Sequence, residues 1–138
     1  MKKILLTCIA VACSLVAVAG ELLIEAESFS RRGGWVLDQQ FMDQMGSPYL
    51  MAHGMGIPVA DATAEINIPQ AGTYYVYART YNWTSPWTDA EGPGKFRLAL
   101  GGRLLKATLG HTGNSWQWQF AGKAVLKAGT TTLALKDL

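Results

Sequence analysis

The stretch Ile66-Asn-Ile-Pro-Gln-Ala-Gly-Thr-Tyr-Tyr-Val-Tyr-Ala-Arg-Thr-Tyr-Asn-Trp83 decides the fold. A short apolar segment meets a Pro-Gln-Ala-Gly turn, and a run of β-branched and aromatic residues follows, which is typical of a β-strand. Because side chains alternate along a strand, Tyr75 and Tyr77 point to the face opposite Val76. Both faces carry large side chains, which predicts a strand in the centre of a sandwich.

The rest of the chain predicts short strands and little helix. No window keeps apolar residues at three- and four-residue spacing together with helix caps, and Gly or Pro recurs about every ten residues, as in β-sandwiches. We therefore predict an all-β, antiparallel β-sandwich of the jelly-roll type, with a long irregular excursion at residues 33–56. The predicted strands are residues 22–27, 34–38, 49–52, 63–68, 73–81, 95–100, 103–109, 116–120, 123–126 and 130–136.

The first twenty residues predict a signal peptide. Lys2 and Lys3 precede an apolar run, and Ala17-Val18-Ala19 fits a small-residue cleavage site. The run is shorter than a membrane span requires, so we expect no membrane-spanning segment. Lipoprotein cleavage before Cys13 is an alternative, but the apolar run continues past that cysteine. We favour ordinary export to the periplasm or the medium, with residues 21–138 as a single domain.

Removal of this leader leaves a neutral chain without cysteine. Both cysteines lie within it, and the twelve Lys and Arg residues lose two, which leaves ten basic against ten acidic residues. A neutral domain lacks the basic surface that nucleic-acid binding requires, so we expect no nucleic-acid partner. An exported domain without disulfides must rely on its core or on a metal ion.

Residues 81–94 predict a binding loop. Trp83 and Trp87 lie there in a polar segment rich in Gly and Pro, and all-β domains carry their binding groups on such loops. Exposed indole rings are costly, so they fold back onto the core, face another domain, or form a platform on which sugar rings stack. The expected ligand-binding residues are Tyr81, Asn82, Trp83, Trp87 and Trp116.

Two carboxylates, Glu25 and Glu27, fall on one face of the first predicted strand. They need compensation, either from Arg31 or Arg32 or from a cation such as calcium, which prefers carboxylate and carbonyl oxygens. A glycosidase acid pair is a third interpretation, but no second motif supports it. The sequence offers no nucleophile–base pair and no multi-histidine cluster, so we expect this chain itself to be non-catalytic.

Five motifs occur in a characteristic order: Ile24-Glu-Ala-Glu-Ser-Phe29, Gly72-Thr-Tyr74, Val76-Tyr-Ala-Arg79, Trp116-Gln-Trp118 and Val125-Leu-Lys-Ala-Gly129. Together they resemble galactose-binding-like jelly rolls, in particular the calcium-containing carbohydrate-binding modules of families 6 and 35. The resemblance implies a polysaccharide or glycan ligand, bound by Tyr81, Asn82, Trp83 and Trp116. It also implies a structural calcium ion held partly by Glu25 and Glu27. The remaining calcium ligand would come from a final strand that we expect beyond Leu138 or from another chain.

A second resemblance covers residues 33–62. Gly33-Gly-Trp35, Asp38–Asp43, Gly46–Leu50, Ala52-His-Gly54 and Val59–Ala62 are similar to the β-sandwich module beside the flavin domain of secreted bacterial FAD-dependent oxidoreductases, and to xanthan lyase-like proteins. This resemblance implies a larger oxidoreductase or polysaccharide lyase with a downstream domain, against which the aromatic loop would dock. No flavin is expected within this chain, because the Gly-x-Gly-x-x-Gly fingerprint is missing from the sequence.

Overall fold

The computed structural model describes residues 20–138, so the predicted signal peptide lies outside it except for Gly20. Within the described part, two short helical turns accompany eight strands. In chain order the elements are a 3₁₀ turn (Ala26–Ser28), β1 (Trp35–Asp38), α1 (Met42–Met45), β2 (Tyr49–Ala52), β3 (Ala62–Ile68), β4 (Gly72–Thr80), β5 (Phe96–Leu100), β6 (Arg103–Leu104), β7 (Gln117–Leu126) and β8 (Gly129–Asp137).

The strands form three sheets, in which every pair is antiparallel. They are a β1–β2 ribbon, a four-stranded sheet in the order β3-β8-β5-β6, and a β4–β7 ribbon. This architecture confirms the predicted all-β, antiparallel sandwich. No helix in residues 20–138 combines the length and the hydropathy needed to cross a bilayer.

The core lies between the four-stranded sheet and the β4–β7 ribbon. On β8, Leu133 and Leu135 pair with alanines of β3 on one side and with leucines of β5 on the other. Each row across this sheet therefore combines one small and two large side chains. Val76 of β4 and the buried Ala121 and Ala124 of β7 meet these rows from the opposite layer. Burial of each large aliphatic side chain contributes about 1.5–3 kcal/mol to the free energy of folding.

β4 pairs with β7 alone among the described residues, so the prediction of a central strand is wrong for this sheet. β4 lines an apolar cleft of about 1800 Å³, whose walls also include Ile66, Leu98 and Leu133. The large side chains on the two faces of β4 have different environments. One face packs into the core, whereas Tyr75 and Tyr77 on the other face are exposed.

Three further strand predictions differ from the structure. Residues 22–25 form no regular element, and a 3₁₀ turn follows because the carbonyl of Glu25 accepts a hydrogen bond from the amide of Ser28. The predicted strand at 103–109 ends at Leu104. The two predicted strands at 116–120 and 123–126 are one strand, β7, which is interrupted by a bulge opposite Val76 and Tyr77.

Within the predicted excursion at residues 33–56, the two predicted strands are present as β1 and β2, and the helical turn α1 between them was not predicted. β1 and β2 form an antiparallel ribbon, and α1 bridges them as a single turn that ends at Gly46, whose φ is 85°. The ribbon is fastened to the segment before β3. There the amide of Gly34 donates to the carbonyl of Ala60 at 3.0 Å, and Gly33 adopts a φ of 55°.

Substitution of Gly33 by alanine should destabilise the protein by about 2 kcal/mol, because a positive φ and a backbone clash combine. A Cβ atom at Gly33 would lie 2.2 Å from the carbonyl oxygen of Asp61. Gly72→Ala is the matched control, since a Cβ atom there meets nothing within 4 Å. Urea denaturation measures the free energy of unfolding of both variants, and equal values would contradict this account of how the β1–β2 ribbon is attached.

Candidate functional site

Two loops meet at one end of the sandwich. The first, residues 81–94, follows β4, and the second, residues 110–116, precedes β7; we call them together the rim. The amide of Gly92 donates to the carbonyl of His111 at 2.8 Å, and Asn82 Nδ2 donates to the carbonyl of Gly113 at 3.4 Å. These bonds join the loops into one surface, although the loops are far apart in sequence.

Asn82 holds the first loop in place. Its side chain is only 2% exposed, and its Oδ1 accepts a hydrogen bond from Thr84 Oγ1 at 2.9 Å. Gly92 packs against the amide so closely that a Cβ atom would lie 1.9 Å from Oδ1. The hydrogen bonds that Asn82 makes are therefore mostly internal, and the residue positions the rim.

Trp83 and Trp87 are the exposed aromatic residues of the rim, at 47% and 76%. Their ring centroids lie 6.1 Å apart, with the ring planes 70° apart. A tight turn presents them, because the amide of Trp87 donates to the carbonyl of Thr84 at 2.9 Å. Two neighbouring indoles left in water form an apolar surface of the kind that marks a binding site.

Tyr81 and Trp116 belong to a different group of rings. They stack on each other with centroids 5.5 Å apart, and Phe41 and Tyr49 pack edge-on against Trp116 at 6.4 and 5.0 Å. We call these four residues the aromatic cluster. Tyr49 is buried, and the other three rings are half-buried. The structure therefore divides the predicted ligand-binding residues into an exposed pair, a packed pair and one buried anchor.

A buried hydroxyl ties the aromatic cluster to β1. The Tyr49 hydroxyl donates a hydrogen bond to Asp38 Oδ1. Burial of the hydroxyl is the larger cause that raises the pKa of Tyr49, and this hydrogen bond is the second. The same hydrogen bond lowers the pKa of the Asp38 carboxyl. The carboxylate form of Asp38 is thus the form that the folded chain stabilises.

A polar pocket of about 370 Å³ lies between the two rim loops. Glu91 forms an ion pair with Lys95 at 3.0 Å and lies 3.5 Å from His111 Nδ1. The hydrogen bond from Lys95 lowers the pKa of Glu91, so this carboxylate is ionised at neutral pH. The other polar residues around the pocket include Ser85, Thr88, Asp89, Thr112 and Asn114.

The pocket contains functional groups that the sequence analysis missed. Glu91 and Asp89 are charged residues in a loop, and His111 follows a glycine, so none of the three carries a local sequence signal of a site. Their grouping depends on the hydrogen bonds between the two loops. Only the polar, Gly-rich composition of both loops could have indicated that they meet.

Glu25 directly precedes the 3₁₀ turn and Glu27 lies within it, far from the rim loops in the sequence. Their main-chain carbonyls already accept hydrogen bonds, from Ser28 and from the Arg32 guanidinium. A calcium ion takes six to eight oxygen ligands, so the two carboxylates are only part of a calcium site. In residues 20–138 no group of three or more His, Cys, Asp or Glu side chains could hold a metal ion.

No protein-family model and no curated protein matches the chain. Solved structures do. A GH26-CBM35 β-(1,4)-mannanase from Podospora anserina superposes with a TM-score of 0.60 at 19% identity over 83% of this chain. A family 35 carbohydrate-binding module from Clostridium thermocellum gives 0.56 at 21% identity over 76% of this chain and 77% of its own. A family 35 module from an environmental isolate gives 0.53 at 23%, covering 76% of each.

The chain has the fold of a family 35 carbohydrate-binding module. At these identities the similarity shows the fold alone. The family-35-type fold confirms the galactose-binding-like sandwich that the five ordered motifs predict. The chain spans only 24% of the Podospora mannanase, so the same fold occurs there as one part of a longer enzyme.

The hydrogen bond from Tyr49 predicts a pH-dependent contribution to stability. Because the folded-state pKa of Asp38 is lowered, its stabilisation is complete above the unfolded pKa, about 3.9, and is lost as pH falls through the lower folded value. Asp38→Asn should therefore melt below the parent at neutral pH, and the difference should shrink below about pH 4. Thermal unfolding across pH 7 to 3 tests this.

Asp43→Asn, on α1, is the matched control, because this substitution removes one exposed carboxylate and leaves the Tyr49 hydrogen bond intact. A melting-temperature difference for Asp38→Asn that stays constant down to the lowest pH would contradict the role assigned to the ionised carboxylate.

Proposed function

We propose that this chain is a non-catalytic carbohydrate-binding module whose rim binds saccharide. The observation that carries the proposal is the exposed pair Trp83 and Trp87 on the same loop that lines the polar pocket. The pocket volume, about 370 Å³, falls within the range usual for ligand pockets, roughly 300–1,000 Å³. The neighbours that are family 35 carbohydrate-binding modules support the same class of ligand.

The two parts of the rim suit the two kinds of surface on a sugar ring. The indoles of Trp83 and Trp87 offer flat apolar faces to the C–H face of the ring. The carboxylates of Asp89 and Glu91 accept hydrogen bonds from hydroxyl groups, and charged acceptors make the stronger hydrogen bonds. Ionised Glu91 is already held in place by Lys95, so little ordering is required when a ligand binds.

Binding to a single sugar ring should be weak. Apolar burial contributes about 25 cal/mol per Å², and one hydrogen bond contributes about 1 kcal/mol net. The loss of translational and rotational freedom opposes both contributions. A chain that contacts both indoles in succession binds more tightly, so we expect a polysaccharide ligand. The aromatic cluster, with Tyr81 and Trp116, supports the loop from below through ring packing.

Trp83→Ala and Trp87→Ala should each weaken glycan binding about tenfold, which corresponds to about 1.4 kcal/mol. Affinity electrophoresis against uncharged polysaccharides, including a β-1,4-mannan, identifies a retained ligand, and calorimetry gives its affinity. Leu104→Ala is the matched control. Leu104 is an exposed apolar residue on β6, whose turn lies at the other end of β5 from the rim.

Equal retardation of the parent and both tryptophan variants would overturn the rim as the binding surface. If no glycan retards the parent protein at all, the saccharide proposal itself fails, and a docking role for the same residues gains support.

That docking role is the second proposal. The exposed tryptophans would contact a neighbouring domain of a larger secreted FAD-dependent oxidoreductase or xanthan lyase-like enzyme. Trp87, at 76% exposure, is the observation that favours it, together with the resemblance carried by residues 33–62. Gene sequence continuing past Leu138 into a strand, a Gly-x-Gly-x-x-Gly turn and a helix would support it. A stop codon there would count against it.

Export and calcium binding stay predictions. Cleavage near Gly20 is tested by the intact mass of the protein recovered from the periplasm or medium.

For calcium, a chelator should lower the melting temperature of the parent, and this shift should vanish in Glu27→Gln if the Glu27 carboxylate is a ligand. Glu65→Gln, on β3, is the control that should keep the shift. An unchanged shift in Glu27→Gln would contradict the ligand role.

A further inference from the structure

The outward-facing side of the β4–β7 ribbon is a second aromatic surface, separate from the rim. Alternation along the strands places the same faces of β4 and β7 outward, opposite the core. Cross-strand pairing sets Tyr77 opposite Phe120, and Tyr75 opposite Lys123. We call this surface the ribbon face; its residues are Thr73, Tyr75, Tyr77, Trp118, Phe120, Lys123 and Val125.

Three rings of the ribbon face, those of Tyr75, Phe120 and Tyr77, form a continuous, solvent-exposed row. The centroid of Phe120 lies 5.2 Å from that of Tyr77 and 6.5 Å from that of Tyr75. Tyr77 is 53% exposed and Trp118 is 59% exposed. From Trp118 to Val125 the strand rises about 3.3 Å per residue, so the ribbon face is on the order of 20 Å long, which exceeds the length of a single sugar ring.

The charges on this face all have one sign. Neither β4 nor β7 contains an Asp or Glu residue, whereas Lys123 lies on β7 and Lys127 directly follows it. The guanidinium of Arg79, on β4, is hydrogen-bonded to the carbonyls of Gln44 and Met45. The Lys123 ammonium sits 4.8 Å from the centre of the Tyr75 ring. Residues 20–138 are neutral overall, so the cations of the ribbon face are a local excess beside the aromatic row.

This combination disfavours a second copy of the chain as the partner. A two-fold interface brings the same patch of both copies together, so the cations would face one another with no carboxylate on the ribbon face to pair with them. Juxtaposed like charges oppose such an interface. The neutral chain also lacks the broad basic surface that binds a nucleic-acid backbone. An acidic partner whose rings present an apolar C–H face satisfies both features of the face.

We propose that the ribbon face binds an acidic polysaccharide, with successive rings stacked along the Tyr75, Phe120 and Tyr77 row and carboxylates paired with Lys123 and Lys127. The inference takes from the proposed function only the class of ligand, a glycan, and it uses none of the rim residues. Binding at this face is salt-dependent, because the cations are exposed and their attraction is screened.

The test compares polygalacturonate with highly methyl-esterified pectin, which has the same backbone with most carboxylates blocked. The parent protein should be retarded by polygalacturonate and much less by the ester. Tyr77→Ala should weaken polygalacturonate binding about fivefold to tenfold, and Lys123→Gln about twofold to fivefold at low salt. Arg103→Gln, on β6 of the other sheet, is the matched charge control and should bind like the parent.

The outcomes separate this inference from the rim proposal. Trp87→Ala should keep the parent's affinity for polygalacturonate while weakening the binding of any uncharged glycan, and Tyr77→Ala should do the reverse. Equal binding of polygalacturonate and the ester, or equal binding of a single-stranded oligonucleotide, would overturn the inference. So would sedimentation that shows a dimer of the parent dissociated by Tyr77→Ala, because the face would then be an interface between copies. Circular dichroism checks that the variants fold.

Discussion

The rim depends on one buried amide. Asn82 is where β4 ends and its loop begins, and its side chain bonds at once to its own loop, through Thr84, and to the second loop, through the carbonyl of Gly113. Leaving a buried amide unpaired costs about 1–3 kcal/mol, so these bonds strongly favour this loop arrangement. The exposed tryptophans keep their places because the amide between the loops is satisfied.

Packing and exposure are divided among neighbouring aromatic residues. Tyr81 and Trp116 pack within the aromatic cluster, which closes the end of the sandwich against β1 and β2. Trp83 and Trp87, only a few residues further along, have no such neighbours in the described part of the chain except each other. A sandwich that stacks some rings under its rim can therefore project others into solvent without losing its core.

The strand pattern was largely predictable from sequence. β2 lies where alternation and the flanking turns predict it, and β4, β5 and β8 agree within one residue at each end. The first predicted strand was wrong because a strand also needs a hydrogen-bonding neighbour, which a local pattern does not supply. The same limit applies to the site. The exposable indoles of Trp83 and Trp87 were visible in the loop composition, whereas the role of Asn82 depends on Gly92 and Gly113.

The most direct test of the saccharide rim uses the indole N–H signals of the five tryptophans, which nuclear magnetic resonance observes separately. An uncharged oligosaccharide that the protein retains should shift the signals of Trp83 and Trp87. The signals of Trp35, in the core, and of Trp116, in the aromatic cluster, should stay nearly unchanged. Saturable binding that leaves Trp83 and Trp87 unmoved would contradict the account.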